Sequence, residues 1–259
     1  MRSVLRSIRR RVIAAASQRP AAWGTRGAVV SFTFDDFPRT ALTVGGEILK
    51  AFGVRGTYYT AMGMMGTVNH LGDQFRRQDL DVLLRDGHEL AGHTFGHVSS
   101  QKVSTAQYRE EVRKGQRAIQ ELTGRQSPGN FAYPYGRVTL GAKRAAGENV
   151  ASARGIWSGI NGPVVDLNLL RANSLYGRLA QSFQAEELIL QNEQQNGWLI
   201  FYSHDIQPMP SLYGCTPELL EFALSFAAQR GARILTVAEV VAELTASRLE
   251  MSAVSQVSA

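Results

Sequence analysis

Two adjacent acids, Asp35 and Asp36, end the apolar run Ala28-Val29-Val30-Ser31-Phe32-Thr33-Phe34. Side by side at a strand end they repel one another and lose part of their hydration, so a compensating cation is expected. An Asp-Asp turn that merely stops the strand is the plainer alternative. Further on, His93-Thr94-Phe95-Gly96-His97 sets two of the chain's five histidines four residues apart. On a helical turn that spacing puts both imidazoles on one side, where they can converge on a metal ion. His204, in Ser203-His204-Asp205, follows the apolar run Trp198-Leu199-Ile200-Phe201-Tyr202 and can donate a proton near neutral pH. The segment Phe131-Ala132-Tyr133-Pro134-Tyr135-Gly136-Arg137 reads as a tight turn able to aim a backbone N–H at a cavity and stack a sugar on its ring. One carboxylate with two imidazoles makes a mixed nitrogen and oxygen site that leaves positions open for water and substrate. The second carboxylate is then free to act as base, and a histidine as acid.

The elements that must position these groups alternate. Strands are expected at 28–34, 54–60, 87–91, 129–133, 149–154, 170–174, 197–202 and 233–235. Helical spacing falls at 40–52, 76–86, 104–122, 184–195, 217–229 and 236–244. Ser104 is the expected N-cap of the clearest helix, and Gly124 lies past its end. A repeated strand–helix order implies right-handed crossovers and a parallel sheet. With about seven such units, the α/β chain is expected to close into a distorted (β/α)7-type barrel, whose chemistry sits where strands end. Each reactive cluster above follows an expected strand.

In these motifs the chain resembles the NodB-homology polysaccharide deacetylases, the family-4 carbohydrate esterases. The resemblance rests on Thr33-Phe34-Asp35-Asp36, on His93-x-x-x-His97 and on the late strand ending in His204, and runs from about Ala28 to about Leu244. It implies Asp36, His93 and His97 as ligands of one divalent metal, normally zinc, and Asp35 as general base. His204 is similar to the family's general acid, and Phe131 to Gly136 matches its third motif, where the Tyr135 backbone N–H would help hold the oxyanion. The implied activity is removal of N-acetyl groups from amino sugars of a polysaccharide, oligosaccharide or lipid-linked glycan, with metal-bound water as nucleophile. The chain departs from the family in two places. Many members carry an arginine near the start of the third motif that pairs with the base, where this chain has Ala132; Arg171 is the expected replacement, with Arg137 a weaker one. The fourth motif, an acidic segment with a tryptophan that tunes the acid histidine, has no clear match, Asp166 and Trp157 being at the wrong spacing.

Of 259 residues, 44% are hydrophobic, which excludes a disordered chain, and the net charge is +6. Five arginines and no acid lie between Met1 and Arg11, so the excess belongs to an arm rather than to the folded body, and no nucleic-acid partner is expected. Three parts are expected: a basic arm at 1–19, the deacetylase-like domain at 20–246 and a tail at 247–259. Over residues 1–16, Val4, Leu5, Ile8, Val12 and Ile13 are expected on one side of a short helix, with arginines elsewhere. Such a helix can touch an anionic membrane surface. Its apolar run is too short for a signal peptide, and the single cysteine, Cys215, excludes an internal disulfide. The expected location is cytoplasmic, with a peripheral position at the inner membrane surface.

Cys215 is read as a small residue at a helix start rather than a nucleophile. His88 is expected to make a structural hydrogen bond, and His70 to border the cleft in a Gly/Met-rich loop. Other functions remain open on the same residues: hydrolysis of O-acetyl esters, hydrolysis of a cyclic imide or ureide, or silent glycan binding. Aromatic sugar platforms in an open cleft favour a sugar substrate, and a small closed pocket a cyclic amide.

Overall fold

The computed structural model describes residues 2–24 and 27–246, with side chains from Ser7 onward; the tail at 247–259 lies outside the described residues. The order is α1 (Arg2–Ala15), β1 (Val29–Asp35), α2 (Gly45–Ala51), β2 (Thr57–Thr60), α3 (Arg77–Arg85), β3 (Glu89–Gly92), α4 (Thr105–Thr123), β4 (Phe131–Ala132), α5 (Leu140–Gly147), β5 (Ala153–Arg154), β6 (Asn173–Ser174), α6 (Ser182–Gln195), β7 (Trp198–Ser203), α7 (Pro217–Gln229) and β8 (Arg233–Ile234). A last helix covers 237–246.

Seven parallel strands pair in the order β6-β7-β1-β2-β3-β4-β5. The two edges of this curled sheet meet through one bridge, Arg154 to Leu170. The distorted barrel expected from the alternation is therefore the fold. β8 is not a barrel stave: it pairs only with the first two residues of β1. The sequence pattern also passed over a small antiparallel sheet, Pro20–Ala22 against Val164–Asp166.

The period of two along each strand explains which residues face the barrel axis. Val30, Phe32 and Phe34 of β1 pack with Tyr58, Leu90, Leu199 and Phe201 against the helices. The alternate set, Val29, Tyr59, Ala91, Ala132, Trp198, Ile200 and Tyr202, forms the interior cluster. The interior parity carries Asp35 at the end of β1, His93 just past β3, Arg154 in β5 and His204 just past β7.

Polar groups close the strand-start end of the barrel. Glu89 accepts hydrogen bonds from Thr57 Oγ1 (2.8 Å), Asn130 Nδ2 (2.7 Å) and the Ala238 N–H (2.8 Å), while Val237 N–H donates to Thr57 Oγ1 at 3.0 Å. The last helix thus plugs the floor with its N-terminus on a buried carboxyl. Its mouth is left to the loops after the strands.

The arm is a helix, and its C-terminal end is tied to the body. The buried Lys143 donates to the carbonyls of Ile13 and Ala14, both at 3.0 Å, and pairs with Asp166 at 2.7 Å. Ile13 is buried with Tyr108, Tyr133 and Ala142, whereas Ile8 and Val12 are exposed. The single apolar side expected from the sequence is therefore divided. At about 100° per residue Ile13 lies about 140° around the helix from Ile8.

Candidate active site

Asp36, His93 and His97 come together at the barrel mouth, one ligand atom of each lying within 4.8 Å of the others. Asp36 Oδ1 is 3.3 Å from His93 Nε2 and 2.9 Å from His97 Nε2. His93 Nδ1–H donates to the Ala132 carbonyl at 2.8 Å, which places its lone pair on Nε2, facing the acid. Asp36 Oδ1 and His97 Nε2 are buried and neither makes a hydrogen bond. Burial pushes the Asp36 carboxyl up, but the two imidazoles outweigh it and hold the group well below the usual carboxylate range. A carboxylate and two imidazole nitrogens converging on one point, with Asp36 Oδ1 and His97 Nε2 left without a hydrogen bond, fit a divalent cation.

The histidines do not share a helical turn. Residues 93–97 form an irregular loop in which Thr94 (φ 56°) and His97 (φ 54°) are left-handed. Asp36 (φ 65°), Phe37 (φ 62°) and Tyr135 (φ 58°) are left-handed as well, so five of the seven such non-glycine residues described belong to this site. Each costs roughly 1–2 kcal/mol and persists only where packing over-determines it. Phe37 is fully buried, 5.2 Å from Phe75 and 5.0 Å from Tyr58 between ring centroids. On the histidine loop, Phe95 N–H donates to the Glu111 carbonyl (3.1 Å) and Gly96 N–H to the Glu111 carboxylate (2.7 Å). Gly115 of α4 packs so close that a Cβ there would meet the Thr94 carbonyl carbon at 3.1 Å.

Asp35 is bound by Arg154, not by Arg171. The fully buried Arg154 donates through Nη2 to Asp35 Oδ1 and through Nη1 to the Gly155 carbonyl (3.0 Å). Its guanidinium lies 4.6 Å from the Tyr59 ring centroid and 5.2 Å from that of Tyr202, held between two aromatic faces. Arg171 instead donates to the Ser158 carbonyl at 2.9 Å on the surface, because it sits at an exposed edge outside the interior parity. Arg137 borders the cleft without an ion pair to Asp35. Arg154 carried a signal in the sequence: it is the one charged residue in its strand run and stands two positions from Ser152 on the inward face.

His204 faces the same cleft. The Tyr213 carbonyl accepts from both its backbone N–H (3.1 Å) and its Nδ1 (3.0 Å). Asp205 is buried and bonded to Gln207 and Ser211, so it shapes the loop rather than the imidazole. Neither Asp166 nor Trp157 reaches His204: Asp166 forms an ion pair with Lys143 and accepts from the Arg19 N–H, and Trp157 stacks under Arg10 at 5.1 Å.

The cleft holds about 740 Å³ and is open to solvent. Asp35, Asp36, His93, His97 and His204 line it with four tyrosines, of which Tyr135 is 58% and Tyr213 46% exposed. The Tyr135 ring lies 4.5 Å from that of His97. His70 borders the cleft, and His88 Nδ1 accepts from the Gly56 N–H at 3.1 Å, as the sequence suggested for each. Cys215 is buried, and burial pushes its thiol up to about 12, which removes it as a nucleophile.

A curled parallel sheet with a carboxylate, two imidazoles and a separately clamped second carboxylate at its mouth defines a hydrolase of the deacetylase-barrel class. The polysaccharide deacetylase family model matches residues 24–150, a span that includes Asp35, Asp36, His93, His97 and Tyr135 and stops before Arg154 and His204. The chain belongs to this family, the NodB-homology or family-4 carbohydrate esterases. Solved structures share the fold at low identity. A family 4 acetyl xylan esterase from Clostridium thermocellum with a cobalt ion is 19% identical, with a TM-score of 0.56 over 82% of this chain and 89% of that one. The chitin deacetylase of Colletotrichum lindemuthianum is 18% identical, with a TM-score of 0.55 over 83% and 88%. A mutant of the peptidoglycan deacetylase PdaC from Bacillus subtilis is 16% identical, with a TM-score of 0.55 over 89% and 97%. No curated protein matches the chain.

Proposed function

We propose that this protein removes N-acetyl groups from amino-sugar residues of a polysaccharide, oligosaccharide or lipid-linked glycan, using one divalent cation, zinc, held by Asp36, His93 and His97. The observation that carries the reading is the division of labour between the two acids. Asp36 faces the imidazoles, while Asp35 is paired with its own buried arginine. A silent binding module needs no second clamped carboxylate.

When bound, the cation supplies Lewis acidity, making water a better nucleophile and polarising the acetyl carbonyl. Asp35 takes the proton of the attacking water, with Arg154 fixing one of its oxygens so that the other is presented to the cleft. The Tyr135 backbone N–H donates to the developing oxyanion. His204 Nδ1 donates to the Tyr213 carbonyl, which leaves Nε2 as the ring atom from which a proton would pass to the departing sugar nitrogen. The exposed rings of Tyr135 and Tyr213 stack against sugar faces, and the open cleft favours a glycan over a cyclic imide or ureide. Relatives described as acetyl xylan esterase and as chitin and peptidoglycan deacetylases support an acetylated glycan as substrate. The proposed location is the cytoplasm, at the inner membrane surface; no described helix is long and apolar enough to cross a membrane.

The test measures metal content and acetate release from N-acetylglucosamine oligomers for wild type, Asp36→Ala and Asp35→Asn. We expect about one zinc per chain in wild type, loss of metal in Asp36→Ala, and retained metal with acetate release lost in Asp35→Asn. Acetate from acetylated xylan but not from the oligomers would move the activity to O-acetyl esters. Absence of metal binding would overturn the reading.

A further inference from the structure

Helix α1 docks on the body through one side and turns a different one outward. Ile13 is buried, Arg10 stacks on Trp157 at 5.1 Å, and Lys143 holds the carbonyls at the helix end. Every residue from Ser7 to Val12 is exposed, including Ile8 at 53% and Val12 at 49%. Ile8 and Val12 are four residues apart and therefore neighbours on the helix surface. By helical phase, Arg9 and Arg11 flank them on opposite sides, each about 60–100° away. An apolar strip between arginines, on a helix with five arginines and no acid, is the arrangement that lies in the interface of an anionic bilayer. A helix of 14 residues is marginal in water unless its apolar face is covered, and the body covers only the Ile13 side.

The direction of the helix relates this strip to the cleft. Arg19, which follows α1, donates to the carbonyls of Val150 and Ala151, level with the start of β5. Arg10 meets Trp157, just past the end of β5, and the neighbouring Ile156 lines the cleft. From Arg19 back to Arg10 the chain thus climbs from the barrel floor to its mouth, and the helix continues on that side. We infer that α1 seats the catalytic mouth beside an anionic phospholipid surface, so that the glycan deacetylated is one carried at the membrane. The substrate half of this inference rests on the activity proposed above; the lipid half does not.

The experiment measures co-sedimentation of the full chain with phosphatidylglycerol-containing vesicles and with pure phosphatidylcholine vesicles, alongside acetate release from soluble oligomers. Wild type is expected on the anionic vesicles and not on the neutral ones, with binding lost in 1 M salt. Ile8→Asp/Val12→Asp abolishes binding. Arg9→Gln/Arg11→Gln, which keeps helix-forming residues, weakens it about fivefold per arginine. All variants release acetate from soluble oligomers at the wild-type rate. Failure of wild type to bind anionic vesicles, or undiminished binding by both double variants, overturns the inference. A dimer in sedimentation velocity that Ile8→Asp/Val12→Asp dissociates, without vesicle binding, assigns the strip to a second copy instead. Vesicle binding without acetate release leaves the membrane surface standing and removes the proposed activity.

Discussion

Arg154 reaches Asp35 from the strand beside the one on which the family's arginine is expected: Ala132 and Arg154 are register partners across β4 and β5. The positive charge thus stands one strand aside from that expected position, at the same height in the barrel. Both positions point inward, so the guanidinium meets the same carboxylate from a neighbouring direction. Ala132 leaves the necessary space, and its carbonyl orients His93.

The relationship predicts an exchange. Arg154→Ala leaves Asp35 buried without its counter-charge and should cost about 3–5 kcal/mol of stability and nearly all activity. Adding Ala132→Arg to that variant should recover part of both. Denaturant unfolding and acetate release on the two variants check this; no recovery in the double variant would mean that the two strand positions are not equivalent.

His204 should matter in proportion to the leaving group. His204→Ala is expected to lower turnover of N-acetyl sugars by about 10²–10⁴-fold. Hydrolysis of 4-nitrophenyl acetate, whose leaving group departs without a proton, should change little. Equal losses on both substrates would assign His204 to folding or binding.

Gly115 should govern metal affinity from outside the site. In an open helix Gly→Ala stabilises by about 1 kcal/mol, but here the added carbon presses on the backbone of Thr94 and Phe95 between the two histidines. Gly115→Val should weaken zinc binding by about 10–100-fold, the range seen when supports of metal ligands are lost, with helical content unchanged. Competition with a chromophoric chelator measures it.

His88 sets an acid limit on stability. Burial lowers its pKa below the ordinary 6.5, and its Nδ1 accepts the Gly56 N–H, a role open only to the neutral ring. The unfolded chain therefore binds this proton more readily than the folded one. The stabilising contribution is full above about pH 6.5 and is lost as pH falls towards and through the folded-state value. Thermal melts of wild type should steepen their decline below that pH. In His88→Gln, whose amide oxygen can accept the same bond, the decline should be shallower by the His88 share.

Much of the site was legible in the sequence because short-range patterns record it. Strand ends, the four-residue spacing of His93 and His97, and the Asp35-Asp36 pair all lie within segments where chain order is spatial order. Strand parity carried more than spacing did, since it places Asp35, His93, Arg154 and His204 on one interior. Register between strands is what only the tertiary structure decided. Arg171 and Arg154 each stand in an expected strand run, and nothing local says which is level with Asp35; the curl of the sheet turns Arg154 inward and leaves Arg171 at the edge. The same holds for α1. Its periodicity predicted an amphipathic helix, but the contact of Ile13 with the body, decided by where α5 and Lys143 lie, divided the apolar face and left Ile8 and Val12 facing water. Local sequence sets which groups a segment offers, and long-range packing sets which of them meet.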